Sequence, residues 1–443
     1  MDLQNYLQKL HKLGELRTVS AEVDAKLELA ALCRHEFSQG GGGKALLFEQ
    51  VRGHLFPVIA NMFGSEQRTS LLLHSTNFEQ FSIKLQTLLQ KKTGTTEQRL
   101  RFTEKTLQFD DSKFQDTEGL KLTDLPALQS WPKEGGRYLN LALAITEHPD
   151  TGQRNLGLYR AQVIDSDHLA LNFSLGSGVA THFAIAAKAN KTLPISLIMG
   201  SDPALIWVAA APLPQSCDEF AFHHALFDQK LKFTAGLTQP IAVPANAEII
   251  IEGQLLPGKT VSEGPFGNHT GQYVSRTDCP LMQVTAIRHR SGALFPTTVV
   301  GPPPSENVNL GKANEILLRE MLKIDFPQIQ NLKMPLETIF HGVALLSVKQ
   351  QSVKMNKELL YSLWEKSPLS RSPLLVLLDE DIDLSSASHS WWRTINSLKN
   401  QCIYQNNGRI GIDATGVNPS TLVEEDLSTR ELLQRRMDEY YQC

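Results

Sequence analysis

The first residues of the chain follow the spacing of one face of a helix. Apolar side chains recur at i, i+3, i+4 and i+7, namely at Leu3, Tyr6, Leu7 and Leu10. Gln, Lys and His separate them and Gly14 follows, so the pattern predicts an amphipathic helix that ends near this glycine. A secretory signal would need an uninterrupted apolar block, which this segment lacks.

Helical and strand-like patterns then alternate in the first and last parts of the chain. The first part has a helical pattern over Leu27–Phe37 and strand patterns over Ala45–Phe48 and Val58–Asn61. After Gly301–Pro304, helices are predicted at Asn309–Leu322 and Val353–Glu365, and strands at Ile339–Val348 and Leu374–Leu378. Such alternation predicts an α/β region at each end.

Strand patterns broken by turns dominate residues 138–304. They lie at Leu139–Ile145, Gly157–Ile164, Leu169–Phe173, Ala247–Ile251, Met282–Arg288 and Leu294–Val300. The last two flank Arg290–Gly292, which predicts a hairpin because glycine adopts positive φ at low cost. Helices are predicted at Val179–Asn190 and after Asp202, an N-cap residue followed by proline. A barrel or a strongly bent sheet is expected.

The changes of pattern divide the chain into three regions. A length of 443 residues exceeds what one hydrophobic core usually serves, and a charged, polar stretch at 95–119 marks the first change. We place an N-terminal α/β domain at 1–115, a central β-rich domain at 116–308 and a C-terminal α/β domain at 309–443. The expected fold class is therefore α/β, of the multidomain α+β kind.

Composition narrows the range of functions. The net charge of −4 gives no basic surface for nucleic acid, and no run reaches the ~18 apolar residues of a transmembrane segment. The five cysteines are odd in number, scattered and free of CxxC pairs, which argues against a disulfide framework or a structural zinc site. A cytoplasmic protein with reduced thiols is expected.

Two segments place polar side chains among glycines beside strand patterns. They are Arg154–Arg160, which reads RNLGLYR, and Ser262–Gly271, which reads SEGPFGNHTG. The guanidinium of Arg160 can hold a carboxylate with two parallel hydrogen bonds, and Glu263 can exchange protons beside it. Without further matches, such a pair is more often a structural salt bridge.

Three other groups favour structural interpretations. The Gly40–Gly43 run is followed by Lys-Ala instead of the Lys-Ser or Lys-Thr of a P-loop, and is interpreted as a flexible connection. The acidic Asp379–Asp381 is interpreted as a solvated strand end rather than a metal site. His223 and His224 are expected to be exposed on a helix rather than to bind a metal or a cofactor.

Several local matches, in the same order along the chain, resemble the UbiD-type decarboxylases. Members of this family use prenylated flavin mononucleotide to remove the carboxylate from aromatic and α,β-unsaturated acids. The matching segments are Asn155–Arg160, Pro212–Phe220, Glu263–Asn268 and Ile410–Thr415. The resemblance covers nearly the whole chain rather than one motif.

This resemblance implies a role for each candidate site residue. The catalytic residues are Arg160, Glu263 and Asn268. The metal ligands are Asn155 and Glu219. The cofactor contacts are Leu158, Tyr159, Arg160, Asn172, Phe173, Ser174, Ser177, Gly178 and Arg409, the last in place of a family lysine.

The resemblance also implies an architecture and partners. The central domain would be a split β-barrel of the flavin-reductase type, flanked by the two α/β regions, in a homo-oligomer such as a dimer or hexamer. The cofactors would be prenylated flavin mononucleotide (prenylated FMN), a divalent ion such as manganese (Mn2+) and, in many members, potassium (K+). A flavin prenyltransferase would supply the cofactor, and the substrate would be a small carboxylic acid that is decarboxylated reversibly and without oxidation.

Two positions depart from the family pattern. Gly176 stands where the family has a metal-binding histidine, so one protein ligand is missing unless His168 or His182 replaces it. Asn268 stands where the family has an acidic residue, and a carboxamide cannot deliver a proton near neutral pH.

The second departure leaves several functions open. Glu263, His269 or water could supply the proton, or related chemistry could need no acid at this point. The principal alternative is a catalytically impaired or non-catalytic protein that binds flavin or assists assembly. A protein that binds ordinary flavin mononucleotide for redox chemistry is a third class.

Overall fold

The structure, a computed structural model, describes residues 1–104, 106–110, 114–116, 119–339, 342–398, 402–416, 423 and 426–441. The chain divides into two units. Unit 1 comprises Met1–Asp325 and Leu336–Phe340, and unit 2 comprises Phe326–Pro335 and His341–Cys443. Among the described cysteines, Cys33, Cys217 and Cys279 are buried free thiols. Cys443 lies outside the described residues.

The described helices confirm most of the predicted ones. They are α1 Leu3–Lys12, α2 Glu28–Ser38, α3 Glu66–Leu72, α4 Phe78–Gln90, α5 Thr96–Arg99, α6 Gly178–Lys188, α7 Ala204–Ala210, α8 Glu219–Phe227, α9 Asn307–Asp325, α10 Val353–Lys366, α11 Ala387–Asn396 and α12 Leu427–Tyr440. The four apolar residues that predicted α1 are all buried. Within the described ranges, none of these helices has the length and apolar character of a membrane span.

The described strands form four sheets. They are β1 Leu16–Val19, β2 Ala45–Phe48, β3 Val58–Ala60, β4 Gln108–Phe109, β5 Phe114–Asp116, β6 Tyr138–Glu147, β7 Arg154–Val163, β8 His168–Asn172, β9 Leu193–Met199, β10 Lys232–Thr234, β11 Val243–Pro244, β12 Ile249–Gly267, β13 Tyr273–Arg290, β14 Phe295–Pro296, β15 Ile329–Lys333, β16 Val343–Val348, β17 Leu374–Asp379, β18 Ile403–Asn406 and β19 Arg409–Asp413.

A closed barrel of six antiparallel strands forms the centre of unit 1. The strand order is β12, β9, β6, β7, β8 and β13, and β13 pairs back to β12. Nearly every residue of β6 is buried, because one face fills the barrel and the other is covered by apolar side chains outside it. The predicted mixed α/β class with a central β-barrel is confirmed.

The long ribbon of β12 and β13 carries the candidate motif Ser262–Gly271. The sequence suggested a loop, but Glu263 lies within β12 and only the end of the motif forms the turn. The register between the two strands shifts on both sides of Glu263, so this residue stands at an irregular, bulged position. Bulges bend a strand and redirect its side chains, which explains how a strand can present Glu263 to a site.

The hairpin predicted around Arg290–Gly292 is wrong. Both edges of β13 are occupied at its end, where β12 and β5 pair with it, so no edge is left for the next segment. The chain turns at Gly292 and β14 instead pairs in parallel with β3, in a sheet of order β1, β2, β3 and β14. Phe295 is fully buried there, and Pro296 is tolerated because β14 is an edge strand.

Unit 2 contains a five-stranded sheet of order β15, β16, β17, β19 and β18. The central strands β16, β17 and β19 are parallel, and β15 and β18 pair antiparallel at the edges. Buried leucine and valine residues of β16 and β17 form its apolar core. The strand predicted from Ile339 begins at Val343.

A buried carboxyl group, Glu306, precedes α9 and gives unit 1 a pH-dependent stability. Burial raises the pKa of Glu306 to about 7, against the opposing hydrogen bond from the Phe63 amide at 3.2 Å. The unfolded chain loses this proton near pH 4.5 and the folded chain only near pH 7. The resulting stability is therefore complete below the unfolded pKa and is lost as the pH rises through about 7.

Glu306→Gln, which imitates the neutral carboxyl group, should remove this pH dependence. Between pH 4.5 and 8 the free energy of unfolding of the wild type should fall more than that of the variant, by on the order of 3 kcal/mol. Urea unfolding at both pH values measures the difference. The exposed Glu358→Gln should behave as the wild type, and equal pH dependence in Glu306→Gln and the wild type would contradict the prediction.

Candidate active site

Three polar side chains from three barrel strands meet in one hydrogen-bonded group. Arg160 on β7 donates from Nε to Glu263 Oε1 at 2.7 Å and from Nη2 to Oε2 at 2.9 Å. Asn172, at the end of β8, donates from Nδ2 to Glu263 Oε2 at 2.8 Å. Glu263 is only 1% exposed, so the hydrogen bonds from Arg160 and Asn172 replace those that water would provide, and Arg160 is its cationic partner.

The local backbone explains why Glu263 faces Arg160. Gly264 follows it with φ +105°, and a Cβ at this position would lie 2.7 Å from the Val274 carbonyl oxygen. The Gly264 amide donates to Gln162 Oε1 at 2.8 Å. Gln162 lies two residues after Arg160 on β7, so both side chains project from the same face of the strand.

One part of the Arg160 guanidinium remains available to a ligand. Its central carbon lies 4.4 Å from the centre of the Phe266 ring, and Nε and Nη2 bond to Glu263. Nη1 makes no hydrogen bond to the described residues, and the side chain is 24% exposed. An anionic ligand could therefore reach this group while the rest of the guanidinium stays fixed.

Asn268 belongs to the turn that joins β12 to β13. Its Oδ1 accepts hydrogen bonds from the Thr270 amide at 2.9 Å and from the Thr270 hydroxyl at 2.5 Å. Its backbone carbonyl accepts from the Gly271 amide. The carboxamide oxygen therefore shapes the turn, and the catalytic role predicted for Asn268 stays a prediction.

A second polar group joins the first half of β7 to the starts of α6 and α8. Burial raises the pKa of Tyr159, and the nearby side chains of Ser177 and Asn155 oppose this shift. A Cβ on Gly178 would lie 1.7 Å from Asn155 Oδ1, so the close packing of Asn155 against α6 requires glycine there. Ser177 caps α6 by accepting from the Ala180 amide.

Glu219, the first residue of α8, reaches the edge of β7. Its Oε2 accepts a hydrogen bond from the Leu156 amide at 3.0 Å. This amide is not used by the sheet on that side, because β8 pairs with β7 only from Arg160 onward. Burial raises the pKa of Glu219 to about 8. A cation beside this carboxyl group would favour its ionised form, and the amide oxygen of Asn155 is a ligand of the same hard type.

The loop from β8 to α6 contains several predicted cofactor contacts. The Phe173 ring lies 6.2 Å from the Tyr159 ring, and the Ser174 carbonyl accepts from the Ser177 amide. Leu158 precedes Tyr159 on β7 and is partly buried. These residues therefore lie on two adjoining segments of the barrel, although their contacts with a cofactor stay predictions.

Gly176, on the same loop, provides no side chain where the family pattern has a histidine. Its carbonyl accepts from Gln215 Nε2 at 2.6 Å, which ties the loop to the segment before α8. His168 is the first residue of β8, and its Nδ1 is 3.0 Å from both carboxylate oxygens of Asp165. The His168 ring therefore already has a partner, the carboxylate of Asp165.

His182 is buried on α6, one turn beyond Gly178. Its Nδ1 lies 2.9 Å from Thr146 Oγ1, and Thr146 is the cross-strand partner of Asn155. Burial lowers the pKa of His182 to about 4, so the ring is neutral near pH 7. A neutral imidazole is the form that can bind a metal, and a metal role for His182 stays an alternative that the sequence left open.

Arg409 is fixed within unit 2. Its Nη1 donates to the carbonyls of Ser370 at 2.7 Å and Trp364 at 3.4 Å, and its Nε donates to the Asn406 carbonyl at 3.2 Å. These bonds give the guanidinium a structural role inside its own unit. The predicted contact of Arg409 with a cofactor stays a prediction.

The expectation that His223 is exposed is wrong. Its Nε2 lies 3.2 Å from Asp202 Oδ2, while His74 Nε2 lies 3.1 Å from Oδ1 and the Met1 amine 2.8 Å from Oδ2. Burial raises the pKa of Asp202, but hydrogen bonds from the two histidines outweigh it and hold the pKa well below its ordinary value. His224, on the other side of α8, is partly exposed as predicted.

Sequence reasoning missed Glu134, a second buried carboxyl group near Arg160. Its Oε2 accepts from the Ser130 amide at 2.6 Å and its Oε1 from the Gly267 amide at 3.2 Å. Burial raises the pKa of Glu134. The sequence signal was the Trp-Pro-Lys-Glu-Gly-Gly run that precedes β6, because Gly135 must pack against the Gly264 carbonyl.

Three family models match successive parts of the chain. Family models for the 3-octaprenyl-4-hydroxybenzoate carboxy-lyase match residues 7–83 (N-terminal domain), 103–303 (Rift-related domain) and 308–401 (C-terminal domain). An uncharacterized protein of Archaeoglobus fulgidus is 32% identical over 94% of this chain and 91% of its own length. One of Aquifex aeolicus is 33% identical over 90% of this chain and 85% of its own length.

Solved structures share the fold over the full chain. The vanillic acid decarboxylase of Sedimentibacter hydroxybenzoicus in closed form has a TM-score of 0.86 and 23% identity, covering 100% of this chain and 99% of that one. An evolved dimeric form of the UbiD-class enzyme HmfF from Pelotomaculum thermopropionicum, in complex with prFMN, has a TM-score of 0.80 and 24% identity, covering 97% and 98%. With all three family domains present in order, the chain belongs to the UbiD family of carboxy-lyases.

Proposed function

We propose that this protein is a reversible, non-oxidative decarboxylase of an aromatic or α,β-unsaturated carboxylic acid that works with prenylated FMN. The observation that carries the proposal is that one strand, β7, contributes to two polar groups, Arg160 with Glu263 and Asn172, and Asn155 with Glu219 at the adjoining Leu156 amide. One group provides a fixed cation next to a carboxyl group, and the other provides oxygen ligands at a helix start.

Arg160 binds the carboxylate of the substrate, beginning with the available Nη1. When bound, the prenylated flavin supplies the acceptor for the electron pair of the carbon–carbon bond that breaks as carbon dioxide leaves. Glu263, a carboxylate when paired with Arg160, takes up a proton from solvent and delivers it to the carbon that has lost the carboxylate, which returns Glu263 to its carboxylate form. Asn172 keeps the Glu263 carboxyl group oriented throughout.

The second group holds the cofactor. Asn155 and Glu219 would hold the divalent ion, manganese in this proposal, and K+ would be a second cation of the cofactor site. The N-terminus of α6 would hold the flavin phosphate, because a helix start favours an anion. The solved complex of the related HmfF with prFMN supports this choice of cofactor.

The cofactor content of the purified protein tests the proposal. We expect native mass spectrometry of protein produced together with a flavin prenyltransferase to find prenylated FMN and a divalent ion, with a matching absorption spectrum. Decarboxylation of a panel of aromatic acids should follow. Folded protein that carries no flavin would overturn the proposal, and a reducible yellow FMN without a prenyl group would favour redox chemistry.

A non-catalytic flavin-binding or assembly protein is the second candidate. The observation that favours it is Asn268, since its side chain is engaged in a turn and cannot provide a proton. This candidate predicts cofactor binding without turnover of any acid, whereas the decarboxylase uses Glu263 in place of Asn268.

Asn268→Asp separates the two candidates. An aspartate would accept the same two bonds from Thr270, which stabilise its charged form and make it a poor proton donor. We therefore expect the fold and the decarboxylation rate to change little, without the roughly 100- to 10,000-fold gain that a new general acid can give. The turn variant Asn407→Asp in unit 2 is the control, and activity that appears only in Asn268→Asp would favour the non-catalytic candidate.

The exposed face of α12 supports the proposed homo-oligomer, a dimer or hexamer. Large apolar side chains on this helix are exposed at Leu427, Leu432, Leu433, Met437 and Tyr440. Burying such a stripe against a second copy would remove apolar area from water.

A further inference from the structure

We propose that Arg154 and Asp218 form a positioning pair that fixes the proposed metal ligands Asn155 and Glu219 relative to each other. Arg154 immediately precedes Asn155 at the start of β7, and Asp218 immediately precedes Glu219 at the start of α8. The inference rests on the proposed function, because it assigns the pair to the divalent ion that Asn155 and Glu219 would bind.

The pair is short, doubly bonded and buried. Arg154 donates to Asp218 Oδ2 from Nη2 at 2.6 Å and from Nε at 3.1 Å, and the two side chains are 7% and 8% exposed. Ion pairs in such surroundings hold a defined geometry, whereas exposed pairs exchange with water. The bond therefore fixes the start of α8 against the start of β7.

Both partners are held from other sides as well. Asp218 Oδ1 caps α8 by accepting from the Ala221 amide at 3.0 Å, so one carboxylate joins the helix start to the strand. The Arg154 guanidinium lies 5.4 Å from the ring centres of both Phe220 and Phe233. Neither side chain can shift without losing packing or the helix cap.

Hydrogen bonds of two consecutive residues, Asp218 and Glu219, then determine where Glu219 lies. Asp218 bonds to Arg154, and Glu219 bonds to the Leu156 amide two residues farther along the same strand. This part of β7 has no β8 neighbour, so Glu219 occupies an open strand edge and depends on the helix start for its position. Without the ion pair, only the Leu156 bond and packing would hold the carboxyl group beside Asn155.

The pair also adjusts the charge around the ligands. A lone guanidinium next to Asn155 would repel a divalent cation, and Asp218 neutralises it at short range. The local charge is then set by Glu219, the residue that would bind the ion. Partners of metal ligands commonly act in this way, by orienting the ligands without touching the metal.

Manganese affinity, rather than activity, tests the pair. Protein produced with a flavin prenyltransferase is stripped of metal with a chelator, and Mn2+ is titrated back while free Mn2+ is followed by electron paramagnetic resonance. Asp218→Ser keeps a residue that caps helices but removes the ion pair. We expect it to weaken Mn2+ binding by about 10- to 100-fold.

A double variant tests whether weaker Mn2+ binding results from the loss of the pair rather than from an unpaired buried charge that disturbs the fold. Arg154→Met/Asp218→Ser leaves no unpaired buried charge and should weaken Mn2+ binding to a similar extent. The control Arg288→Met/Glu252→Gln removes another buried ion pair of the barrel, with an N–O distance of 2.6 Å, and should leave Mn2+ affinity unchanged. A role in stability alone would lower the unfolding midpoint in both sets without this difference in affinity.

The outcomes separate this inference from the proposed function. Wild-type protein that binds no Mn2+ would overturn the proposed metal and the positioning pair together. Wild-type protein that binds Mn2+, with unchanged affinity in folded Asp218→Ser, would overturn the positioning pair alone. Loss of binding in Glu219→Gln, with weakened binding in both pair variants, is the result we expect.

Discussion

Decarboxylation by the Glu263→Gln variant is expected to be slower than that of the wild type by a factor of about 100 to 10,000. Glutamine has the size of glutamate and can still accept from Arg160, whose Nε lies 2.7 Å from Glu263 Oε1. Its amide does not titrate near neutral pH, so it cannot carry the proton to the product carbon. Arg160 keeps a partly exposed position, and the fold should survive the loss of its anionic partner.

Single-turnover rates, normalised to bound cofactor, measure this effect on the chemical step. Glu306→Gln is the matched control, because it makes the same change at a buried carboxyl group outside the site and should retain the wild-type rate. If Glu263→Gln keeps its cofactor and more than about a tenth of the wild-type rate, another group delivers the proton.

Local periodicity predicted the helices of this chain well. The residues that define α1 share one face, and all four are buried. α8 shows where this reasoning fails, because its apolar residues are not confined to one face. Six of its nine residues are buried, including His223, so the pattern could not indicate which histidine was exposed.

Features that depend on strand pairing could not be predicted from local patterns. The segment after Gly292 has the composition of a hairpin strand, yet β5 and β12 already occupy both edges of β13. Arg160 and Glu263 are 103 residues apart, and the resemblance brought them together rather than any periodicity. Their contact depends on the bulge in β12, which strand propensity does not encode.

The Gly40–Gly43 run shows how a glycine-rich segment can be fixed by a residue far along the chain. The sequence suggested a flexible connection, but Arg68 donates to the Gly43 carbonyl at 2.5 Å and to the Gly42 carbonyl at 3.1 Å. A Cβ on Gly42 would lie 1.9 Å from the Gly64 carbonyl oxygen. Glycine is therefore needed for close backbone packing around a buried guanidinium.

Arg68→Met should accordingly destabilise the protein by about 3 to 5 kcal/mol. Arg68 is fully buried and donates to Glu15 Oε2 at 2.6 Å, so methionine would leave that carboxylate and the Gly43 carbonyl without their donor. The Gly42 carbonyl would keep the hydrogen bond from Asn61 Nδ2 at 2.9 Å. Urea unfolding at pH 7 gives the free-energy difference. Arg52→Met is the matched control, since Arg52 pairs with Glu22 at 3.0 Å but its side chain is 59% exposed, and its loss should lower the free energy of unfolding far less than Arg68→Met does.

A double variant shows why the effect of Arg68 is large. Arg68→Met/Glu15→Gln removes both charges, so its stability should exceed that of Arg68→Met if the unpaired carboxylate causes part of the loss. The Gly43 carbonyl remains without its donor in both variants, and the stability of the double variant should therefore stay below that of the wild type. Equal losses in Arg68→Met and Arg52→Met would mean that the glycine run holds its conformation without the buried guanidinium.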